Sequence, residues 1–323
     1  MACSTSVGGT VGRAYEVLAK KKVFCTPIRF IPRLRDFFYS HYQLTTQLTM
    51  ITNHLPTRDI VGYSNAAQRL RSFFHARGFV EAHTQDRLSI LAACEDPTTV
   101  ATYEYEGQTW PLPQTGQMWL EYELLTKPGL PGVYCISTSY RNEPHPIPGR
   151  HERIFPMFEF ESKGTLADLR ALEEDLCEHL GLGDKSQFPH ANWRDMAQHY
   201  GTDDLTSTHE RKMSEEFGRV VFLERFPEGT SPFWNMRRSG DTAHKIDVII
   251  DGMETIGSAE RSSDTAEMRE RFHTISNGAY AKLLYSLFGE GRVIKELEEF
   301  LSLNFFPRFG GGIGMTRLMQ ALA

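Results

Sequence analysis

The period of apolar and polar positions changes several times along the chain, and each change predicts an element. Asn65 to Arg77 (NAAQRLRSFFHAR) puts Leu70, Phe73 and Phe74 on one stripe and then meets Gly78, so a helix with a stop is expected. Phe79 to Thr84 reads as a short strand. Pro111 to Leu125 (PLPQTGQMWLEYELL) reads as a loop entering a helix, and Val133 to Glu143 and Arg153 to Glu161 read as strands. From Lys163 to Arg225 the pattern turns helical and polar, which predicts an appendage between two parts of a sheet. Lys245 to Ser258 reads as a hairpin around Asp251-Gly252. Asp264 to Phe288 reads as a helix opened by Asp264 with Glu267, and NFFPRFGGGIGMTRLMQALA as a strand, a glycine-rich turn and a helix. Hairpins without regular strand–helix alternation predict an α+β fold with an antiparallel sheet, not a doubly wound one.

Strand parity then sorts the polar residues, because side chains alternate faces. Ser139, Arg141 and Glu143 share one face of their strand; Phe155, Met157, Glu159 and Glu161 share one face of the next. Ile154, Phe158 and Phe160 on the other face suit a core. Arg141 and the acids are therefore expected on one polar, concave side. Pro144, Pro146 and Pro148 stiffen the connection before Gly149, Arg150 and His151. A stiff loop carrying Arg and His beside an inward Arg suits a polyphosphate; the bland alternative is an exposed charged hairpin.

In the second hairpin, a turn at Asp251-Gly252 sets Ile249 opposite Glu254. Asp247 shares the parity of Ile249, so Asp247 and Glu254 point to one face at diagonal positions, about 7–8 Å apart. Two such carboxylates can converge on Mg²⁺, which binds through one or two acids plus phosphates, or they lie on a solvated face. Arg261, after Gly257-Ser258-Ala259, is either structural or holds a substrate carboxylate. In FGGGIGMTRL the glycines allow close backbone approach to a ligand, the following helix start offers N–H groups to an anion, and Arg317 falls in its first turn. The spacing is not that of a dinucleotide fingerprint.

Composition narrows the classes. A chain of 323 residues, 40% of them hydrophobic, can bury a sizeable core, and a net charge of -6 gives no bulk signal for nucleic-acid binding. The cysteines, Cys3, Cys25, Cys94, Cys135 and Cys177, lack metal-ligand spacing and are odd in number, which suits a reducing compartment. No apolar run approaches a membrane span. The start is basic: Arg13, Lys20, Lys21, Lys22, Arg29, Arg33 and Arg35 face only Glu16, as in a solvated tail, a basic helix or an organelle transit peptide. Residues 1–52 are taken as a basic extension and 53–323 as one domain with a helical insertion at about 163–226. A cytoplasmic location is expected, with organelle targeting by the basic start as the alternative.

Taken in order, these segments resemble the signature motifs of class II aminoacyl-tRNA synthetases, closest to the aspartyl/asparaginyl subgroup. YRNE with RHERIFPMFEFE resembles motif 2, GGGIGMTR resembles motif 3, and QTGQMWLE resembles the amino-acid-binding segment of the asparaginyl enzymes. The resemblance implies an antiparallel sheet flanked by helices, usually dimeric, with ATP and Mg²⁺ as cofactors. It implies that Arg141 holds the α-phosphate, Phe155 stacks on adenine, and Glu143 contacts the adenine or loop side. Arg150 and His151 would reach the outer phosphates and Arg317 the γ-phosphate, with Gly314 in the same nucleotide site. Asp247 and Glu254 would carry Mg²⁺. Arg261 would pair with the amino acid's carboxyl group, and Gln114, Gln117 and Glu159 would line its site, Gln117 and Glu159 at the ammonium end. Glu121 would accept from an amide NH₂, because the aspartyl enzymes place Lys where Leu120 stands here.

Three departures shape the expected function. Gln85 replaces the motif 1 proline, Ile154 replaces the acid before the stacking Phe, and no alternating strand pattern before Asn65 suggests an anticodon-binding barrel. The expectation is an AMP-forming ligase acting on aspartate or asparagine, a homodimer with no tRNA partner and no membrane. Asparagine synthesis from aspartate, ATP and ammonia comes first. The alternatives are dehydration of asparagine to a nitrile, aminoacylation of a tRNA or carrier protein, and a non-catalytic binding subunit.

Overall fold

The computed structural model describes residues 59–84, 88–90, 97–144, 146, 152–230 and 233–323. Helix α1 spans Ile60–Ala76 and starts at Ile60, ahead of the Asn65 expected from its stripe, because the Asp59 side chain accepts a hydrogen bond from Gly62 N (2.8 Å) and caps it. Its stripe does what the pattern predicts. Leu70, Phe73 and Phe74 are buried, and the Phe74 ring packs 5.0–5.8 Å from those of Phe73, Phe79, Tyr134, Phe158 and Phe160. Removing such a ring costs about 3–5 kcal/mol.

The sheet strands are β1 (Val80–Glu81), β4 (Gly132–Tyr140), β5 (Ile154–Lys163), β6 (His190–Asn192), β7 (Val220–Pro227), β8 (Arg238–Ser239), β9 (Thr242–Ile250), β10 (Met253–Arg261) and β11 (Arg308–Gly314). β2 (Thr102–Tyr105) and β3 (Gln108–Pro111) form a separate hairpin. The strand order is β1-β4-β5-β11-β10-β9-β7-β6, with β8 beside β9. The pairings are antiparallel except β1 with β4 and β6 with β7, so the sheet is mixed rather than purely antiparallel. One face is closed by α1, α3 (Leu166–His179) and α9 (Met315–Leu322), whose Phe74, Leu176 and Leu318 share a core with Phe158, Val248 and Ile313. On the other face, α2 (Gln117–Thr126) covers β4, while α4 (Trp193–Tyr200) and α5 (Ser207–Phe217) cover β7 and β9. Helices α6 (Thr265–Thr274), α7 (Ala279–Phe288) and α8 (Glu290–Leu301) pack around Trp234. The middle of that second face stays open.

Three sequence expectations change. The segment 163–225 is not only helical: it contributes β6 and β7 to the sheet. The run Val220 to Leu223 is buried on both faces, so it shows neither helical nor alternating periodicity. The expected long helix from Asp264 breaks into α6 and α7 at Ser276 and Asn277, both left-handed (φ 54° and 56°). Asp264 does cap α6, accepting from Ala266 N and Glu267 N (3.0 Å each), but Glu267 turns away to Arg238 and Ser262. Finally, Gly310 to Gly312 form no turn. They lie inside β11, where a Cβ on Gly310 would stand 2.0 Å from Glu161 Oε1 and one on Gly311 2.7 Å from Ser258 Cβ. The glycines make room for side chains of the flanking strands.

Among the described residues, no helix is long and apolar enough to cross a membrane. Cys135 and Cys177 are buried free thiols, while Cys3, Cys25 and Cys94 lie outside the described residues.

Candidate active site

The open sheet middle holds a cavity of about 620 Å³. Arg141, Glu143, Phe155, Gly314, Arg317, Gln114, Gln117, Glu159, Glu254 and Arg261 line it together. Parity explains most of this: Phe155, Met157 and Glu159 leave β5 on the open face, as Gly257 and Arg261 leave β10 and Gly312 and Gly314 leave β11.

Arg141 sits just past β4. Its backbone N–H donates to Arg153 O (2.7 Å), which fixes where its side chain departs. The guanidinium lies 5.4 Å from the Phe155 ring centroid, and its Nε is buried with no hydrogen-bond partner. Arg317, in the first turn of α9, donates to Glu254 O and stands 3.9 Å from Glu254 Oε2.

The β9–β10 hairpin forms as the sequence predicts, with Ile249 opposite Glu254. A bulge follows Glu254, so Gly257 comes opposite Asp247. A Cβ on Gly257 would stand 3.1 Å from Glu254 Oε1 and 3.6 Å from Asp247 Oδ1, so both oxygens face one small space. Asp247 lies behind the cavity wall, buried, and its Oδ1 has no partner. Its Oδ2 accepts from Lys245 Nζ (2.7 Å). Burial pushes the Asp247 carboxyl up to about 7, Lys245 opposes that, and Glu254 adds to it. Burial alone would lower the Lys245 ammonium, but Asp247 and Glu254 hold it above the usual lysine value. The fit to Mg²⁺ is good: two converging carboxylates, one with an orphaned buried oxygen, match an ion that completes its shell with phosphates. Among the described residues no cluster of three or more acids, histidines or cysteines offers an all-protein metal cage.

At the other end of the cavity most polar groups already have partners, although the buried Glu161 Oε2 and Asn235 Oδ1 stand without one. Glu159 accepts from Gly116 N (2.8 Å), Ser137 Oγ (2.5 Å) and Thr115 Oγ1. Burial raises its carboxyl, and those donors pull it back. Arg261 donates to Glu161 through Nη2 (2.6 Å) and Nε (3.1 Å). Burial lifts Glu161 to about 7 despite that arginine. Gln114 donates to Thr99 Oγ1 (3.0 Å).

A family model described as tRNA synthetases class II (D, K and N) matches residues 41–323. The chain belongs to this family. This member of the class II synthetase family is 26% identical over 285 residues to the asparagine–tRNA ligase of Pelotomaculum thermopropionicum, covering 77% of this chain and 62% of that one. It is 25% identical over 284 residues to the aspartate–tRNA(Asp/Asn) ligase of Methanopyrus kandleri, covering 78% and 61%. The chain thus spans about three fifths of the length of these relatives. The asparaginyl-tRNA synthetase of Pyrococcus horikoshii, solved with asparaginyl-adenylate, shares the fold at a TM-score of 0.66 and 21% identity, over 81% of this chain and 64% of that one.

Some expected site residues of this class II synthetase family member lie elsewhere. Glu121 does not line the cavity. It is fully buried, accepting from Arg308 Nη2 (2.6 Å) and Nε (3.0 Å) and from Asn235 Nδ2 (2.8 Å), so in this fold its partners are internal. Ile154 is 51% exposed, apart from the cavity lining. Arg150, His151 and Gln85 lie outside the described residues. Sequence reasoning missed Lys245, Asn235 and Arg308, and placed Glu161 on the right face without a task. Lys245 could have been found, since it shares the parity of Asp247; Arg308 likewise shares that of Gly310 and Gly312. Asn235 lies between named strands and carries no such signal.

Proposed function

We propose that this class II synthetase domain activates a carboxyl group of aspartate or asparagine with ATP. The observation that carries the reading is a pair of buried, unpartnered atoms of opposite kind beside one cavity: the Arg141 Nε donor and the Asp247 Oδ1 acceptor. A buried orphan donor costs about 1–3 kcal/mol and a buried orphan acceptor as much, so both suit a ligand bearing an anion and its cation. A magnesium nucleotide is such a ligand.

In the reaction a carboxylate oxygen forms a bond to the α-phosphorus, the bond to the β-phosphate bridging oxygen breaks, and its electron pair leaves with pyrophosphate. Arg141 neutralises charge on the α-phosphoryl oxygens and Arg317 on the departing pyrophosphate. Phe155 supplies a face for adenine. Asp247 and Glu254 would hold Mg²⁺, which supplies further positive charge at the phosphates when bound. Glu159, fixed by its three donors, and Gln117 take the ammonium group, and Arg261 takes the carboxyl or amide group at the far end.

The acyl-adenylate then meets a nucleophile. In our first reading this is ammonia, giving asparagine from aspartate with release of AMP. Transfer to tRNA is the second reading, supported by the names of the relatives; the third is a different route, in which the amide oxygen of asparagine takes the adenylyl group with loss of pyrophosphate and then leaves as AMP while the nitrogen gives up its two protons, yielding a nitrile. A homodimer is proposed from the family's habit. The test is incubation with ATP, Mg²⁺ and aspartate or asparagine, with and without ammonium and with and without total tRNA, followed by mass spectrometry. We expect ammonium-dependent asparagine and AMP. Aminoacyl-tRNA alone would replace the first reading with the second. No pyrophosphate exchange with either amino acid would remove adenylation itself.

A further inference from the structure

One cation on the cavity wall has no task in the reaction so far. Lys245 leaves β9 two residues before Asp247, on the same face, and lines the cavity. Its side chain is only 13% exposed, its ammonium is 2.7 Å from Asp247 Oδ2, and it lies 4.1 Å from the Phe226 ring centroid. Lysines are rarely this buried unless paired. Here the pairing is divided. Lys245 takes one oxygen of Asp247 and leaves the other buried and unpartnered, facing Glu254 Oε1 across Gly257.

We propose that Lys245 is a resident cation of the phosphate site, sharing Asp247 with a single divalent metal ion and standing where a second ion would otherwise bind. The carboxylate would then serve two positive centres, the Lys245 ammonium on Oδ2 and a metal ion that Asp247 and Glu254 would hold together. Phe226 and Asp247 hold the ammonium against the wall, so it meets the polyphosphate without reorganising. Glu210 adds negative charge from the next layer, its Oε2 accepting from Glu254 N (2.8 Å). Before nucleotide arrives, the ammonium satisfies part of this acidic demand. The metal ion therefore binds weakly to the empty protein and arrives with the nucleotide. The ligand's identity rests on the adenylation reading; the division of Asp247 does not.

Mn²⁺ is the probe, followed by electron paramagnetic resonance and calorimetry on the full chain. Without nucleotide, Lys245→Met should bind Mn²⁺ about tenfold more tightly than wild type, the scale of one charge-assisted contact. With the α,β-methylene analogue of ATP, wild type should take one Mn²⁺ per chain and Lys245→Met two. In EDTA the variant should bind that analogue about tenfold more weakly, with part of the loss restored in Lys245→Arg. Unchanged Mn²⁺ affinity and unchanged metal-free nucleotide affinity in a folded Lys245→Met would make Lys245 only a structural partner of Asp247. Should the variant not fold, acetylation of Lys245 in the wild-type protein decides: nucleotide in EDTA should slow it, and equal labelling would overturn the proposal. Wild type that binds no analogue even with Mn²⁺ would remove the adenylation reading along with this one, whereas normal binding unmoved by the substitution removes the lysine alone.

Discussion

The two ends of the cavity treat charge in opposite ways. Around Arg141 and Asp247, buried polar atoms stand without partners. Around Arg261, each buried arginine already has a carboxylate: Glu161 for Arg261, Glu121 for Arg308, with Asn235 filling the remaining side of Glu121. One end leaves a donor and an acceptor of opposite kind unpaired beside the cavity; at the other the arginines are ion-paired, and only Glu161 Oε2 and Asn235 Oδ1 lack partners. Under the proposed function the second end would distinguish small amino acids by shape and by single hydrogen bonds, because a buried site left with an unpaired group rejects the wrong one strongly.

The largest test of this contrast breaks the matched end. Arg308→Met removes the closer of two cations from the buried Glu121, leaving only Arg261 at 3.7 Å, and should cost about 3–5 kcal/mol, lowering the melting temperature by on the order of 10 °C. Denaturant and thermal unfolding measure it; a loss under about 1 kcal/mol would mean these charges are solvated. Next comes the waiting end. Arg141→Ala should lower pyrophosphate exchange roughly 10²–10³-fold while barely moving the melting temperature, since nothing in the fold depends on its Nε. Retained exchange would take Arg141 out of its role.

Two smaller effects concern protons. The Glu161 carboxyl is raised to about 7, so the native state holds a proton that the unfolded chain has lost. Its contribution is complete below pH 4.5 and fades as pH rises towards 7. Glu161→Gln should flatten that fall in stability by roughly 1–3 kcal/mol across the window; an identical pH slope would contradict it. Glu173 supplies the reference. It lies in α3, fully buried, with both oxygens unpartnered; Ser258, the polar group nearest in effect, gives its hydroxyl to Ile246 O (3.1 Å). Burial raises its carboxyl well above 4.5, so its stabilising share is likewise lost with rising pH. Glu173→Gln should raise the melting temperature at neutral pH by about 2–4 °C. A decrease would show that the carboxyl has a partner the fold does not reveal.

The sequence revealed most where one strand explains itself. Parity alone put Arg141, Phe155 and Glu159 on one face, and a two-residue turn set Asp247 and Glu254 together. It failed where the reason lies on another strand. Gly310 to Gly312 looked like a ligand turn because the pattern cannot show that Glu161 and Ser258 need the space. The internal ion pair of Glu121 went unread because its cation, Arg308, lies far along the chain. Val220 to Leu223 was hidden because a strand covered on both sides has no alternation to read.

The place of β11 also bears on how the molecule is made. It follows every other strand in the chain, yet lies between β5 and β10 in the sheet. Until residues 308–314 emerge, β1-β4-β5 and β10-β9-β7-β6 are separate half-sheets, each with an open edge facing the other. Such edges invite pairing with other chains, and joining them late is slow because the contacts are distant in sequence. A nascent chain halted before Arg308 should therefore be far more prone to aggregate than one released whole, and the glycines that let β11 slide between finished strands would set how fast that hazard ends.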